Sequence, residues 1–163
     1  FFKMFFSLYF HERKVICMGG YFGVASKEDC VFDLFFGTDY HSHLGTKSGG
    51  LATCDVQEGL QRKIHNLSNA PFRTKFENIF ETMKGQSAIG SINDSDPQPL
   101  LVHSRLGKYA IIFAGVINNK QELVNEYISE LGGQFGGQSG GGINGTELVS
   151  AFINQKRKLL LFI

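Results

Sequence analysis

The chain has 163 residues, enough for one domain with a sizeable core. Its 42% hydrophobic and 19% charged content is ordinary for a globular protein. A net charge of +1, with basic residues scattered along the chain, leaves no electrostatic footprint for nucleic acid or an anionic membrane.

The first ten residues, FFKMFFSLYF, form an aromatic run that is too short to span a bilayer, where about 20 apolar residues are needed. The charges of HERK follow it without a small-residue cleavage site. Residues 1–17 are therefore read as a leader outside the fold, with Met18 as the natural start. Cys17, Cys30 and Cys54 are odd in number and lack C-x-x-C spacing, which argues against a disulfide framework and for a reducing, cytoplasmic setting.

Gly20 to Ala25 has the pattern of a buried strand. A helix is expected after it, with Ser26 as N-cap and Glu28 and Asp29 in the first turn. Val31, Leu34, Phe35 and Thr38 would form its packed face, and the helix should end near Gly45. Leu51–Asp55 and Leu60–His65 read as two strands of a hairpin around QEG. PFRTKFENIFETMKG reads as one continuous helix. Pro71 opens it, Phe72, Phe76, Ile79, Phe80 and Met83 line one face, and Gly85 closes it.

Strands are expected at 87–92, 100–104 and 109–117, the last two joined by RLGK. A further helix would put Leu123, Tyr127, Ile128 and Leu131 on its core side. The glycine-rich stretch at 132–145 reads as a flexible loop, and TELVSAFINQ as a last helix. Residues 156–163 read as a truncated tail. Mixed helices and hairpins, without regular βαβ alternation, favour an α+β fold with largely antiparallel sheets.

Few motifs carry chemistry by themselves. The glycine-rich loop lacks the G-K-S/T ending of a phosphate-binding loop, so it reads as a connector. His41 and His43 stand two apart and would face different sides of a helix, so they read as polar residues at its end rather than metal ligands. Cys30 and Cys54 read as small buried residues. Cys17 would serve as an N-terminal nucleophile only if the chain were cleaved before it. No metal and no cofactor is expected.

MGGYFGVASKEDCVFDLFFGTDYHSHLGTKSGGLAT resembles the start of the class II glutamine amidotransferase domain of amidophosphoribosyltransferases. It is most similar to a divergent branch that begins M-G-G-F-F-G. Similar segments follow in order: IHNLSNAPFRTKFE, MKGQSAIGSINDSDPQPLLVHSRLGKYAII, INNKQELVNE and NGTELVSAFI. The resemblance covers residues 18–155. It implies a four-layer αββα sandwich of N-terminal nucleophile hydrolase type. In the family, this domain releases ammonia from glutamine for a phosphoribosyltransferase domain fused C-terminally, which has no counterpart here.

The resemblance also implies where the glutamine site would lie. Active relatives begin M-C-G-I/V-x-G, and their cysteine falls on Gly19. The arginine of Q-H-R-G falls on Ser48, and the carboxylate-gripping arginine of G-H-x-R-Y falls on Asn93. The oxyanion motif H-N-G places its amide donor on Ala114 and its backbone donor on Gly115. The aspartate of S-D-S/T-E falls on Gly145. Gly19, Ser48, Asn93, Ala114, Gly115 and Gly145 are thus vestigial positions, no catalytic residue is expected, and glutamine binding is in doubt. Two alternatives stand beside this reading: an active amidotransferase supplying ammonia, and a stand-alone small-molecule binding module. The oligomeric state, homo-oligomer included, is left open.

Overall fold

The structure, a computed structural model, describes residues 19–105, 107–129, 132–136, 138–139 and 142–155. Cys17, Met18, Leu131, the expected leader and the expected tail therefore lie outside the described residues. No helix among the described residues is long and apolar enough to cross a membrane.

The first strand, β1 (Gly19–Ala25), leads to helix α1 (Val31–Tyr40) and a short 3-10 turn at Ser42–Leu44. The strands β2 (Ser48–Asp55) and β3 (Gly59–Asn66) follow, then two one-turn helices, α2 (Phe72–Lys75) and α3 (Ile79–Thr82). Next come β4 (Ser87–Asn93), β5 (Leu100–Ser104), β6 (Gly107–Ile111) and α4 (Lys120–Ser129). The two-residue strands β7 (Gln138–Ser139) and β8 (Gly142–Ile143) precede α5 (Gly145–Gln155). Four strands make an antiparallel sheet in the order β1-β4-β2-β3, while β5-β6 and β7-β8 form separate hairpins. The expected mixture of helices and antiparallel sheets is what forms.

Period-two alternation divides the sheet into two faces. Phe22, Val24, Leu51, Ala88 and Ile92 join the core under α1, where Val31, Leu34, Phe35 and Thr38 are buried as their spacing predicts. Phe72, Phe76, Ile79 and Met83 complete this core. Close backbone approach fixes its small residues. The Phe22 ring lies against Gly37, and Thr38, whose hydroxyl donates to the Leu34 carbonyl at 2.7 Å, packs on Gly90. The β2–β3 turn is set by Asp55, which accepts the N–H groups of Gln57 (2.7 Å) and Glu58 (3.0 Å), and by Gly59 at φ 76°.

Several elements differ from expectation. Ser26 caps a turn rather than the helix: its Oγ accepts the Glu28 N–H at 3.1 Å, and α1 starts at Val31. Asp29 takes the Val31 N–H at 3.2 Å and reaches across to the Gly85 N–H at 3.1 Å. Gly85 is thus a docking point for α1 and does not end a helix. The helix expected from Pro71 is broken at Phe76 (φ −113°, ψ 17°) and Asn78 (φ −90°, ψ 16°). That break keeps Phe72, Phe76, Ile79 and Met83 buried and leaves Phe80 44% exposed.

In α4 the buried residue is Val124, and Ile128 is exposed. Tyr127 turns to meet Phe135 and Phe152, with ring centroids 4.9 and 6.3 Å away. Within the glycine-rich stretch, the β7–β8 ladder replaces a plain loop. The strand expected over 109–117 is shorter, running from Gly107 to Ile111. The N–H and C=O of Phe113 are taken by a side chain, so residues 112–117 leave the ladder.

Candidate functional site

One row crosses the sheet at the end where β1 begins. Gly19 pairs with Asn93, Asn93 pairs with Ser48, and Ser48 pairs with Asn66. Residues opposite one another in such a row share a face. This row, like Ser91 and Gly50, belongs to the face away from α1. There the segment Gln98–Pro99 crosses so closely that a Cβ on Gly50 would overlap the Gln98 carbonyl. The Ser91 hydroxyl donates to the same carbonyl at 3.1 Å.

Gln98 is buried and spends its whole side-chain amide on one residue. Its Nε2 donates to the Phe113 carbonyl and its Oε1 accepts the Phe113 N–H, each at 2.9 Å. The strand end at Asn93, the loop after it, the 112–117 segment and the start of α5 then border a solvent-open cavity of about 400 Å³. Gly19, Asn93, Ala114, Gly115 and Gly145 all line it. Ser48 stands beside Asn93 in the sheet row but outside the lining.

The two opening glycines differ in role. A Cβ on Gly20 would come 2.5 Å from His41 Cβ, so the turn after α1 requires glycine there. A Cβ on Gly19 would meet the Ile92 carbonyl at 3.1 Å, a tight contact that needs a shift of a few tenths of an ångström, far less than at Gly20. Gly145 has more room still, with Phe113 ring carbons at 3.7 Å from an added Cβ.

Two residues that line the cavity carry a buried polar atom with no partner among the described residues. Asn93 accepts the Ser95 N–H at 3.1 Å through Oδ1, but its Nδ2 has no acceptor among them. Thr146 is 1% exposed and its Oγ1 likewise has no partner among them, although its N–H donates to Asn144 Oδ1 at 2.7 Å. Three charged residues, Asp94, Asp96 and Lys120, also line the cavity. Asp94 Oδ1 accepts the Thr46 (2.6 Å) and Lys47 (2.9 Å) N–H groups, tying the loop before β2 to the end of β4. The Thr46 N–H bond above all, with that of Lys47, holds the Asp94 carboxyl below its ordinary range, against a smaller effect of burial.

Gln98, Thr146, Asp94, Asp96 and Lys120 were not singled out by sequence reasoning. The P-Q-P triplet at 97–99 was the available signal near Gln98, since two prolines without an N–H interrupt any strand ladder there. The remaining candidates lie apart. His43 Nδ1 bonds the Tyr40 carbonyl at 3.0 Å, and the Cys30 thiol donates to the Gly85 carbonyl at 3.0 Å. Burial, and then the nearby Asp29 charge, push the Cys30 thiol pKa up. Among the described residues no group of three or more His, Cys, Asp and Glu is placed to hold a metal ion.

No protein-family model matches the chain, and no curated protein matches it significantly. Solved structures do. A glutamine phosphoribosylpyrophosphate (PRPP) amidotransferase from B. subtilis, complexed with ADP and GMP, superposes with a TM-score of 0.68 at 23% identity, over 85% of this chain and 30% of that one. A structure of the allosteric regulatory enzyme of purine biosynthesis gives a TM-score of 0.62 at 20% identity, over 83% of this chain and 32% of that one. The chain thus has a fold found in a glutamine PRPP amidotransferase, and it spans less than a third of that enzyme's chain.

Proposed function

We propose that the chain is a glutaminase-like domain that no longer hydrolyses glutamine and serves a structural or regulatory role in an amidophosphoribosyltransferase-like protein of purine biosynthesis. Its working partner would be a phosphoribosyltransferase domain fused C-terminally, using free ammonia. The four-layer sandwich of such domains is part of this reading, with β5–β6 contributing to the second sheet.

The observation that carries the proposal is the composition of the cavity wall around the Gly19–Asn93 pair. Covalent hydrolysis of an amide needs a nucleophile at the carbonyl carbon, a group to move its proton, and donors for the oxyanion. Gly19 offers no thiol. Asn93 cannot form the bidentate fork with which an arginine holds a carboxylate. Ala114 brings no side-chain donor, and Gly145 no carboxylate at the position where the family's aspartate would hold the substrate ammonium; the lining carboxylates, Asp94 and Asp96, come from the loop after β4.

The test is to supply the full-length protein with phosphoribosyl pyrophosphate and either glutamine or an ammonium salt. Phosphoribosylamine is expected with ammonium alone, and no ammonia release from glutamine. Sustained glutamine hydrolysis by a preparation free of other glutaminases would overturn the proposal.

A further inference from the structure

We infer that the outer face of α1 and α3 is a two-fold interface on which a second copy of this chain docks. This face lies on the opposite side of the sheet from the cavity, so the inference stands apart from the proposed function.

The first observation is a contiguous patch of exposed aromatic rings. Phe32 (64% exposed), Phe36 (42%) and Tyr40 (76%) follow one another at i, i+4 and i+8 on the side of α1 turned away from the sheet. Phe80 of α3, 44% exposed, extends the patch: its ring centroid lies 6.0 Å from that of Phe32, which is itself 4.6 Å from Phe36. At about 200 Å² for a whole aromatic side chain, these four leave roughly 450 Å² in solvent. Isolated apolar residues on a surface are ordinary, but a joined patch of this size marks an interaction site. Two copies set face to face would cover about 900 Å² through these rings alone, so the rim need add only about 300 Å² to reach the lower bound of a specific interface.

The charges beside the patch select the occupant. Asp33 is exposed and has no ion pair among the described residues. Arg73, whose side chain is 68% exposed, bonds Asp39 at 2.7 Å and stands 6.0 Å over the Phe36 ring. At about 100° of rotation per residue, Asp33 falls on the flank of the stripe away from Phe80, in the first turn of α1. Arg73 falls on the α2 flank, beside the last turn. The face therefore carries an acid and a base at diagonally opposite corners. In a two-fold pairing every contact occurs twice. One axis across the stripe then sets Asp33 of each copy against Arg73 of the other while the rings meet between them. An unrelated partner would have to supply both charges in that arrangement, and a second copy already carries them.

The experiment is sedimentation equilibrium of the full chain across the micromolar range, where a mass twice that of one chain is expected. Phe32→Ser and Tyr40→Ser should each raise the dissociation constant by about tenfold or more, with circular dichroism showing the fold kept. If Phe32→Ser fails to fold, Tyr40→Ser, at the more exposed position, carries the test. Asp33→Lys and Arg73→Asp should each sediment as monomers at concentrations where the unaltered chain is paired, because each sets like charges together twice. Their equimolar mixture should recover the doubled mass, since opposite charges then meet at both contacts. A chain that is monomeric throughout the range, a dimer untouched by both folded aromatic variants, or a mixture no more paired than its components would overturn the inference. Glutamine hydrolysis is measured separately and bears only on the proposed function, so the two failures are distinct.

Discussion

Gln98 holds Phe113 at both ends of one side-chain amide, two bonds of 2.9 Å that stand in for a strand ladder. Through this clamp a buried residue of the β4–β5 connection fixes the segment that walls the cavity. Gln98→Met keeps the volume and removes both bonds. We expect a loss of about 1–3 kcal/mol in urea unfolding and faster amide exchange at Phe113. An unchanged unfolding midpoint with unchanged exchange would show that the clamp holds nothing.

The adjacent glycines at the start of β1 should respond differently to alanine. At Gly20 the new Cβ would meet His41 Cβ at 2.5 Å and Leu44 Cδ1 at 3.1 Å, close to the main chain of the turn. Overpacking of this kind costs about 1–3 kcal/mol. At Gly19 the nearest atom is the Ile92 carbonyl oxygen at 3.1 Å, and Gly19→Ala should cost less than about 1 kcal/mol. Equal unfolding midpoints for the two variants would contradict this ordering.

Much of this arrangement was legible in the sequence. Helical spacing identified the buried face of α1 residue by residue, because a ten-residue helix on a sheet shows its period plainly. The same rule failed at PFRTKFENIFETMKG, where aromatic residues at helical spacing are all consistent with one helix and the break at Phe76 leaves no mark in the pattern. The end of β6 was illegible for another reason. A side chain fifteen positions away captures the backbone of Phe113, and periodicity reports only neighbours. Five of the six positions expected at the site do line one cavity, but the donors left unpartnered among the described residues could be seen only once Asn93 and Thr146 were brought together.

Acid should loosen the cavity's rim at Asp94. Asp94 is held below its ordinary pKa by the Thr46 N–H first and the Lys47 N–H as well. A carboxylate depressed in the folded state contributes stability above its unfolded value, about 3.9, and loses it as the pH falls through the folded value. The exposed Asp55, held down by the Glu58 and Gln57 N–H groups, shares that window. His65 acts at higher pH: burial, then Lys63 and Lys75, lower its pKa, so its contribution fades as the pH falls below about 6.5. Asp94→Asn should flatten the acid limb below about pH 4 and leave the His65 limb in place. Urea midpoints measured across both limbs test this, and an unaltered acid limb would count against Asp94.

Restoring the thiol alone should not restore hydrolysis. Gly19→Cys asks little at its Cβ, which would need the 3.1 Å approach to the Ile92 carbonyl to widen by a few tenths of an ångström. Even when the variant residue is made the first of the chain, its thiolate would face a substrate held by neither an arginine at Asn93 nor an aspartate at Gly145. On the proposed function, Ala114 also leaves the oxyanion without a side-chain amide, which would cost about a further 100-fold or more in rate. We therefore expect a folded Gly19→Cys protein with a titratable thiol and no ammonia release from glutamine. Adding Asn93→Arg and Gly145→Asp supplies both clamps of the proposed reading, and an added Cβ at Gly145 meets the Phe113 ring only at ordinary contact distance, 3.7 Å. Glutamine binding should then appear before turnover does. Hydrolysis by the single variant would mean that the substrate is held by groups other than those placed at Asn93, Ala114 and Gly145.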